Sequence, residues 1–195
     1  MALIRFLQKN NFLREFVYRV SFSRAEKIIG QIELHLKKNN RILDIGSGTC
    51  AVCEILQSKG YETTPLDVMN LSFNKDIKPI LYGGEKIPFA DNKFDVSLII
   101  TVLHHSPNPN RILKEAKRVS KRIIVVEDIY RNSLHKFLTY FFDSILSLHF
   151  FNHPHNNKDD KGWKNTFKNL GLNLINAKYM RVFWVFDLAI YHLKK

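Results

Sequence analysis

The sequence predicts an α/β fold, a three-layer sandwich on a mostly parallel seven-stranded sheet that ends in an antiparallel C-terminal hairpin. Three observations carry this. Short apolar runs alternate with amphipathic stretches from about residue 41 to residue 130, the rhythm of successive strand–helix–strand units. The run FDVSLIITVL, residues 94–103, is apolar on both faces, as a central parallel strand covered by helices must be. The chain then closes with two strand-like runs, LNLINAKYMR and FWVFDLAIYHL, joined by a short connection and most simply paired antiparallel.

At 195 residues, 45% of them hydrophobic, the chain is expected to form one domain, 1–195, with a sizeable core. No internal repeat, low-complexity tract or linker divides it. Thirty Lys and Arg against 18 Asp and Glu give a formal net charge of +12. Such an excess invites nucleic acid or lipid headgroups. The cations are distributed, from Arg5, Lys9, Arg14, Arg19 and Arg24 through residues 111–122 to a lysine-tipped end, so charge alone favours neither partner. Cys50 and Cys53 make a C-x-x-C pair, but it lies at an expected helix start and no second pair completes a zinc site. Both are read as small buried residues of a reducing compartment. Cations interrupt the N-terminal apolar residues, so no secretory signal is expected. No window reaches the roughly 18–20 uninterrupted apolar residues of a membrane span. A cytoplasmic protein, at most peripheral to a membrane, is the expectation.

Each element has its own justification. Leu3, Leu7, Leu13, Phe16, Val17 and Val20 recur near helical spacing and predict a helix over 2–20. Ala25, Ile28, Ile29, Ile32 and Leu36 predict a second over 24–38, so that 1–38 supply N-terminal cap helices. RILDIG, 41–46, is too short and too β-branched for a helix and reads as a buried strand. Residues 50–59 form a helix that stops at Gly60. YETTPLDV, 61–68, is a strand in which Pro65 marks an irregular end. IKPILYG, 77–83, is the third strand and FDVSLIITVL the fourth. NPNRILKEAKRVS, 108–120, is an amphipathic helix with Pro109 near its start. KRIIVVEDI, 121–129, is the fifth strand. The core thus spans 40–130, an insertion fills 131–160, and 161–195 hold a terminal helix, GWKNTFKNLG, and the hairpin.

The strand ends carry the functional signal. RILDIGSGTCAV, 41–52, places two glycines directly behind a buried strand, where backbone can approach a small molecule. Gly46, Gly48 and Ala51, with Asp67 about 20 residues on, satisfy a dinucleotide fingerprint. The glycines therefore do not choose between a nicotinamide dinucleotide and S-adenosylmethionine. The acids do. Asp44 lies two residues before Gly46, where a pyrophosphate would be repelled and a ligand with an ammonium and a sulfonium attracted. Asp67 follows the second strand and Glu85 the third, so a basic chain places carboxylates where strand C-termini gather.

LDIGSGTC, followed by GGEKIPFADNKFDVSLIITVLHHSPNP at 83–109, resembles the Rossmann-like (class I) S-adenosylmethionine-dependent methyltransferases. The similarity is greatest to the group with a D-x-G-x-G-x-G loop and a later E-x-L-P-F…F-D-x-V…L-H-H series. It covers about residues 40–130, with its motifs in order. The resemblance implies a methyltransferase whose cofactor is S-adenosyl-L-methionine. Asp44, Gly46, Ser47 and Gly48 would lie under its methionyl and ribose portions, and Asp67 would accept hydrogen bonds from the ribose hydroxyls. Val68 would pack on adenine, and Gly84 and Glu85 would flank its edge. Thr101, Val102 and Leu103 would line the floor beside the methionine. Two positions depart from the pattern. Cys50 stands where a third glycine is expected, a small-for-small exchange. Gly83 replaces the acid often found two residues before Glu85, which removes a partner for the adenine amino group.

Methyl transfer is an in-line displacement, so alignment and exclusion of water are its main demands. A general base is needed only where the nucleophile must lose a proton. His104 and His105 stand just beyond the fourth strand, where one could act as base or orienter, or the pair could pack the strand end. The N-P-P-[YF] tetrad of amide or exocyclic-amine methylation is absent, the strand end reading HHSPNP. Acceptor choice is expected of residues 131–160. There Phe137, Leu138, Phe141, Phe142, Ile145, Leu146 and Leu148 make a nearly all-round apolar helix. It is either a lid on the sheet or an apolar tunnel or membrane-facing surface, joined by the basic and apolar helix at 2–20. Tyr140, His153 and His155 are candidate acceptor contacts. His149, His153, His155, Asp159 and Asp160 match no metal-ligand spacing, and no metal is expected. The reading is methyl transfer to a small-molecule or lipid-like acceptor, with an RNA-modifying methyltransferase or a non-catalytic cofactor-binding scaffold as alternatives.

Overall fold

A computed structural model describes residues 10–133, 135, 137, 156–182 and 186–195. A long helix, α1 (Asn11–Ile32), and a 3-10 turn at Glu33–His35 lead into β1 (Arg41–Ile45), α2 (Ala51–Ser58), β2 (Glu62–Asp67), β3 (Ile80–Leu81) and β4 (Phe94–Ile100). A second 3-10 turn, Leu103–His105, precedes α3 (Pro109–Val119), β5 (Ser120–Ile129), α4 (Asp160–Asn169), β6 (Asn173–Val182) and β7 (Phe186–Lys194). The strands form one sheet in the order β3-β2-β1-β4-β5-β7-β6. Pairing is parallel from β3 to β5, and β7 runs antiparallel to both β5 and β6. This is the expected mostly parallel seven-stranded sheet with its antiparallel C-terminal pair.

Period-two alternation divides the core between the two helical layers. Ile42, Val96, Leu98, Ile124, Val126, Leu188 and Ile190 face one way and pack with Ile28, Ile29 and Ile32 of α1 and Ile55 and Leu56 of α2. Leu43, Ile45, Ile99, Ile123, Val125, Ala189, Tyr191 and Leu193 face the other way. They meet Leu113 and Ala116 of α3 and Trp163 and Phe167 of α4. Phe167 and Tyr191 meet edge to face with ring centroids 5.1 Å apart, and the Tyr191 hydroxyl donates to Asp160 at 3.0 Å. The chain order reverses between β1 and β4, so the crevice outside their carboxyl ends is where an open α/β sheet receives a ligand.

Several boundaries differ from expectation, each for a local reason. Where two cap helices over 2–20 and 24–38 are expected, one helix runs from Asn11 to Ile32, and residues 2–9 lie outside the described ones. Asn10 caps it, accepting from the Phe12 and Leu13 amides at 3.1 Å. Ser21, Phe22 and Ser23 contain no glycine or proline to break it, and Phe22 packs against the apolar layer. Pro65 is buried inside β2 rather than at its end. β3 pairs only with Leu66 and Asp67, so β2 is still an edge on that side at the proline. β4 ends at Ile100 because Thr101 takes φ 52°. α4 starts two residues before the expected Gly162, since Asp159 caps it by accepting from the Gly162 amide at 2.7 Å. The apolar run 138–148 lies outside the described residues.

Candidate functional site

The glycine turn behind β1 is held from β2. The Gly46 and Ser47 amides both donate to the Leu66 carbonyl, at 2.8 and 3.1 Å. Asp67, at the end of β2, accepts from the Gly48 amide at 2.8 Å and the Met69 amide at 3.2 Å. One buried carboxylate therefore ties the turn to the next strand while retaining unused acceptor sites. Gly46 and Gly48 have φ of 74° and 51°, values that L side chains adopt only under strain. Cys50 has φ 61°, which explains why glycine suits this third position. Its side chain is fully buried, and its thiol reaches the Ser47 hydroxyl at 3.7 Å.

A second turn, behind β4, closes against the first. Thr101 donates its amide to the Val126 carbonyl at 2.7 Å, and its left-handed backbone swings Val102 over Gly46. A Cβ built at Gly46 would overlap the Val102 isopropyl group. Glu127, fully buried on β5, holds this turn. It accepts from the Val102 and Leu103 amides at 2.9 and 2.7 Å and meets His104 Nδ1 at 2.5 Å. The Asn156 amide donates to the His104 carbonyl at 3.0 Å. His104 is completely buried, whereas the His105 ring, 3.9 Å from it by centroids, is half-buried.

Asp44 is the electrostatic centre. Burial pushes its carboxyl up to about 7, the Cys53 thiol opposes this with a hydrogen bond at 3.4 Å, and the charge of Asp67 adds to it. A buried acid whose described donor is only a thiol suits a cationic ligand and would repel a pyrophosphate. The residues thus fit S-adenosylmethionine: a carboxylate for its positive groups, backbone room at Gly46 and Gly48, and an acid at the end of β2.

α1 forms one wall of this rim. Arg14 donates to the Phe73 carbonyl, the Tyr18 hydroxyl to Glu54 at 2.7 Å, and Arg24 to the Thr101 hydroxyl at 3.4 Å. Val68 is exposed beside Gly84, where a Cβ would lie 3.4 Å from its methyl. Glu85, expected at the adenine edge, is exposed and paired with Arg111 at 3.0 Å. Tyr140, His149, His153 and His155 lie outside the described residues. Asp159 and Asp160 serve α4, as its cap and as the partner of Lys164, Tyr179 and Tyr191. Sequence reasoning missed Glu127, Arg24 and the thiol contact of Cys53, none of which carries a local motif.

Gly46→Ala tests this geometry. Strain at a positive φ together with overlap on Val102 should cost about 2–3 kcal/mol and weaken cofactor binding. In the double variant with Val102→Ala, the overlap should be relieved and the backbone strain should remain. Thermal denaturation of the two single variants and the double variant separates these contributions; a fully stable Gly46→Ala protein would refute the packing described.

A family model described as a methyltransferase domain matches residues 43–126, the stretch from β1 to β5. The chain is 36% identical over 94 residues to an uncharacterized protein of Methanocaldococcus jannaschii, covering 48% of this chain and 45% of that one. It is 28% identical over 92 residues to a ubiquinone/menaquinone biosynthesis C-methyltransferase of Rickettsia prowazekii, covering 47% and 37%. The match spans less than half the length of either relative. Among solved structures, the magnesium protoporphyrin IX methyltransferase of Synechocystis with bound SAH superposes with a TM-score of 0.68. That alignment covers 100% of this chain and 99% of the other at 10% identity, a likeness of fold.

Proposed function

We propose that the chain is a Rossmann-like (class I) S-adenosylmethionine-dependent methyltransferase and that it transfers a methyl group from S-adenosylmethionine to a small-molecule or lipid-like acceptor. The methyltransferase-domain match over residues 43–126 supports this. The observation that carries this is the buried Asp44 at the carboxyl end of β1, beside a glycine turn that Val102 and Asp67 hold in place. Bound there, the cofactor supplies an electrophilic methyl group on a sulfonium. Asp44 faces its positive charge, and Asp67 presents spare lone pairs to the ribose hydroxyls. Val68 and Gly84 bracket the adenine.

His105, the more exposed of the paired histidines, meets the acceptor and takes a proton if the nucleophile carries one. His104 sits behind it as a positioning residue, its ring fixed by Glu127. With a carboxylate opposite, Nδ1 carries the ring proton. The acceptor class draws support from the quinone methyltransferase among the relatives. It also draws support from α1, which leaves Phe12, Phe16 and Val20 exposed at four-residue spacing, an apolar stripe suited to the surface of a membrane. No described helix is long and apolar enough to cross one.

Equilibrium binding of labelled S-adenosylmethionine, followed by incubation with fractionated cell extract, tests the reading. Saturable binding and label in lipid or small-molecule fractions are expected. NADH binding in its place would overturn the cofactor assignment. Label confined to RNA would replace the acceptor, and binding without any methyl incorporation would leave a scaffold.

A further inference from the structure

Beside the cofactor rim, α1 and the loop after β2 enclose a cleft of about 360 Å³ whose charged lining is entirely cationic. Arg14, Lys75 and Lys78 supply the charge, with Asn70, Ser72 and Asn74 between them and no carboxylate in the wall. Elsewhere some cations meet acids, Arg19 with Glu15, Arg111 with Glu85 and Lys121 with Asp95, while exposed lysines such as Lys86 and Lys114 stand singly on the surface rather than gathered in a cleft. Among the described residues, none of the three lining cations has such a partner. Like charges gathered without counter-charge repel one another, so the arrangement is favourable chiefly when an anion completes it.

The cleft is also organised to donate. Arg14 is fixed by its Nε and Nη2 groups, which donate to the carbonyl of buried Phe73 at 3.3 and 3.0 Å. Its remaining N–H groups are left for a ligand. The side-chain oxygens of Asn70 and Asn74 accept from the backbone amides of Ser72, Asp76 and Ile77, which leaves their amide N–H groups as the polar atoms on offer. The Phe73 amide reaches the Thr49 carbonyl at 3.4 Å, so the cleft adjoins the glycine turn. S-adenosylmethionine carries no phosphate, and the cofactor is not what this lining complements.

We propose that the cleft seats a phosphate-type anion, either the headgroup of a lipid or a free phosphorylated small molecule. A guanidinium fork with two mobile ammonium groups is the donor set that phosphate oxygens select. The proposal rests on the methyltransferase reading only for its use, as a holder for part of the acceptor; the site itself is defined without it.

The test uses the full chain and three probes: inorganic phosphate, vesicles of phosphatidylcholine, and the same vesicles with phosphatidic acid. Saturable phosphate binding is expected, weakened about 10-fold or more in the double variant Lys75→Gln/Lys78→Gln. Both lysines are exposed, so the thermal midpoint and the affinity for S-adenosylmethionine should be unchanged. Variant-sensitive preference for phosphatidic acid vesicles assigns the headgroup of a lipid. Phosphate binding with equal, weak vesicle binding assigns a free phosphorylated compound. No saturable phosphate binding, binding indifferent to the variant, or variant-sensitive binding confined to RNA would each overturn the proposal. A parent protein that binds phosphate but not S-adenosylmethionine would refute the function proposed above and leave this site standing.

Discussion

Replacing Glu127 by alanine should cost about 4 kcal/mol of folding stability, because the Val102 and Leu103 amides and the buried His104 ring would together lose the charged acceptor they share. Glu127 is completely buried and receives the Val102 amide, the Leu103 amide and His104 Nδ1, all within 2.9 Å. The two amides open the 3-10 turn after Thr101, whose φ of 52° is a conformation the carboxylate helps to hold. For a chain of this size the loss corresponds to a fall of about 8–16 °C in thermal midpoint. Cofactor affinity should fall as well, since Val102 is the residue against which Gly46 packs. Glu127→Gln is the informative companion. Its carbonyl can still accept from both amides, but its NH2 group now faces Nδ1, so the His104 proton must move to Nε2. The cost should then be roughly 1–2 kcal/mol, with the tautomer change visible in the imidazole nitrogen shifts. An alanine variant that loses less than about 1 kcal/mol would show that the turn does not depend on this carboxylate.

The contrast between Gly46 and Glu127 explains what the sequence could disclose. Gly46 announces itself because a turn between a buried strand and a helix, with backbone near a ligand, selects the one residue without a Cβ. Its packing against Val102 then follows from β1 and β4 being neighbours. Glu127 sits in IIVVEDI, where an acid at the close of an apolar run reads as an ordinary strand end. Its partners lie 23 to 25 residues earlier in the chain, and only the β4–β5 register brings them together. Cys53 is similar, its proximity to Asp44 arising from the angle at which α2 leaves the turn. Glu85 was legible as an acid after the third strand but not as the partner of Arg111, because periodicity says nothing about which cation a long exposed side chain reaches. The mostly parallel sheet with its antiparallel end and the two helical layers were readable, since strand–helix alternation and two-faced apolar strands imply both. The run of α1 through Ser21–Ser23 was not, since Phe12, Phe16 and Val20 before it are exposed and Ala25, Ile28, Ile29 and Ile32 after it buried, so the pattern changes face there although no residue breaks the helix.

Asp44 should make cofactor affinity rise with pH while making the empty protein less stable over the same range. Burial lifts its carboxyl from 3.8 to about 7. A folded-state value above the unfolded one means that the empty protein holds a proton the unfolded chain releases. The stability linked to Asp44 is therefore fully present below pH 3.8 and is lost as pH rises through about 7. A cationic ligand reverses the preference, because it favours the ionised carboxylate and expels the proton on binding. With the neighbouring Asp67 and Cys53 unchanged, S-adenosylmethionine should bind about 30-fold more tightly at pH 8 than at pH 5.5, levelling off above neutrality. Asp44→Asn keeps the shape and removes the charge. At pH 8 it should lower affinity about 100-fold, as loss of one member of a buried charge pair does, while leaving the empty protein at least as stable as the parent. At pH 5.5, where the parent acid is already mostly protonated, the two proteins should bind almost alike. Calorimetric titration at both pH values decides the matter. A parent affinity indifferent to pH, or an asparagine variant that binds equally well at pH 8, would remove Asp44 from the site. On this assignment the acid that destabilises the empty cleft would also select for a cation, and the two effects should appear together because both arise from a single desolvated charge.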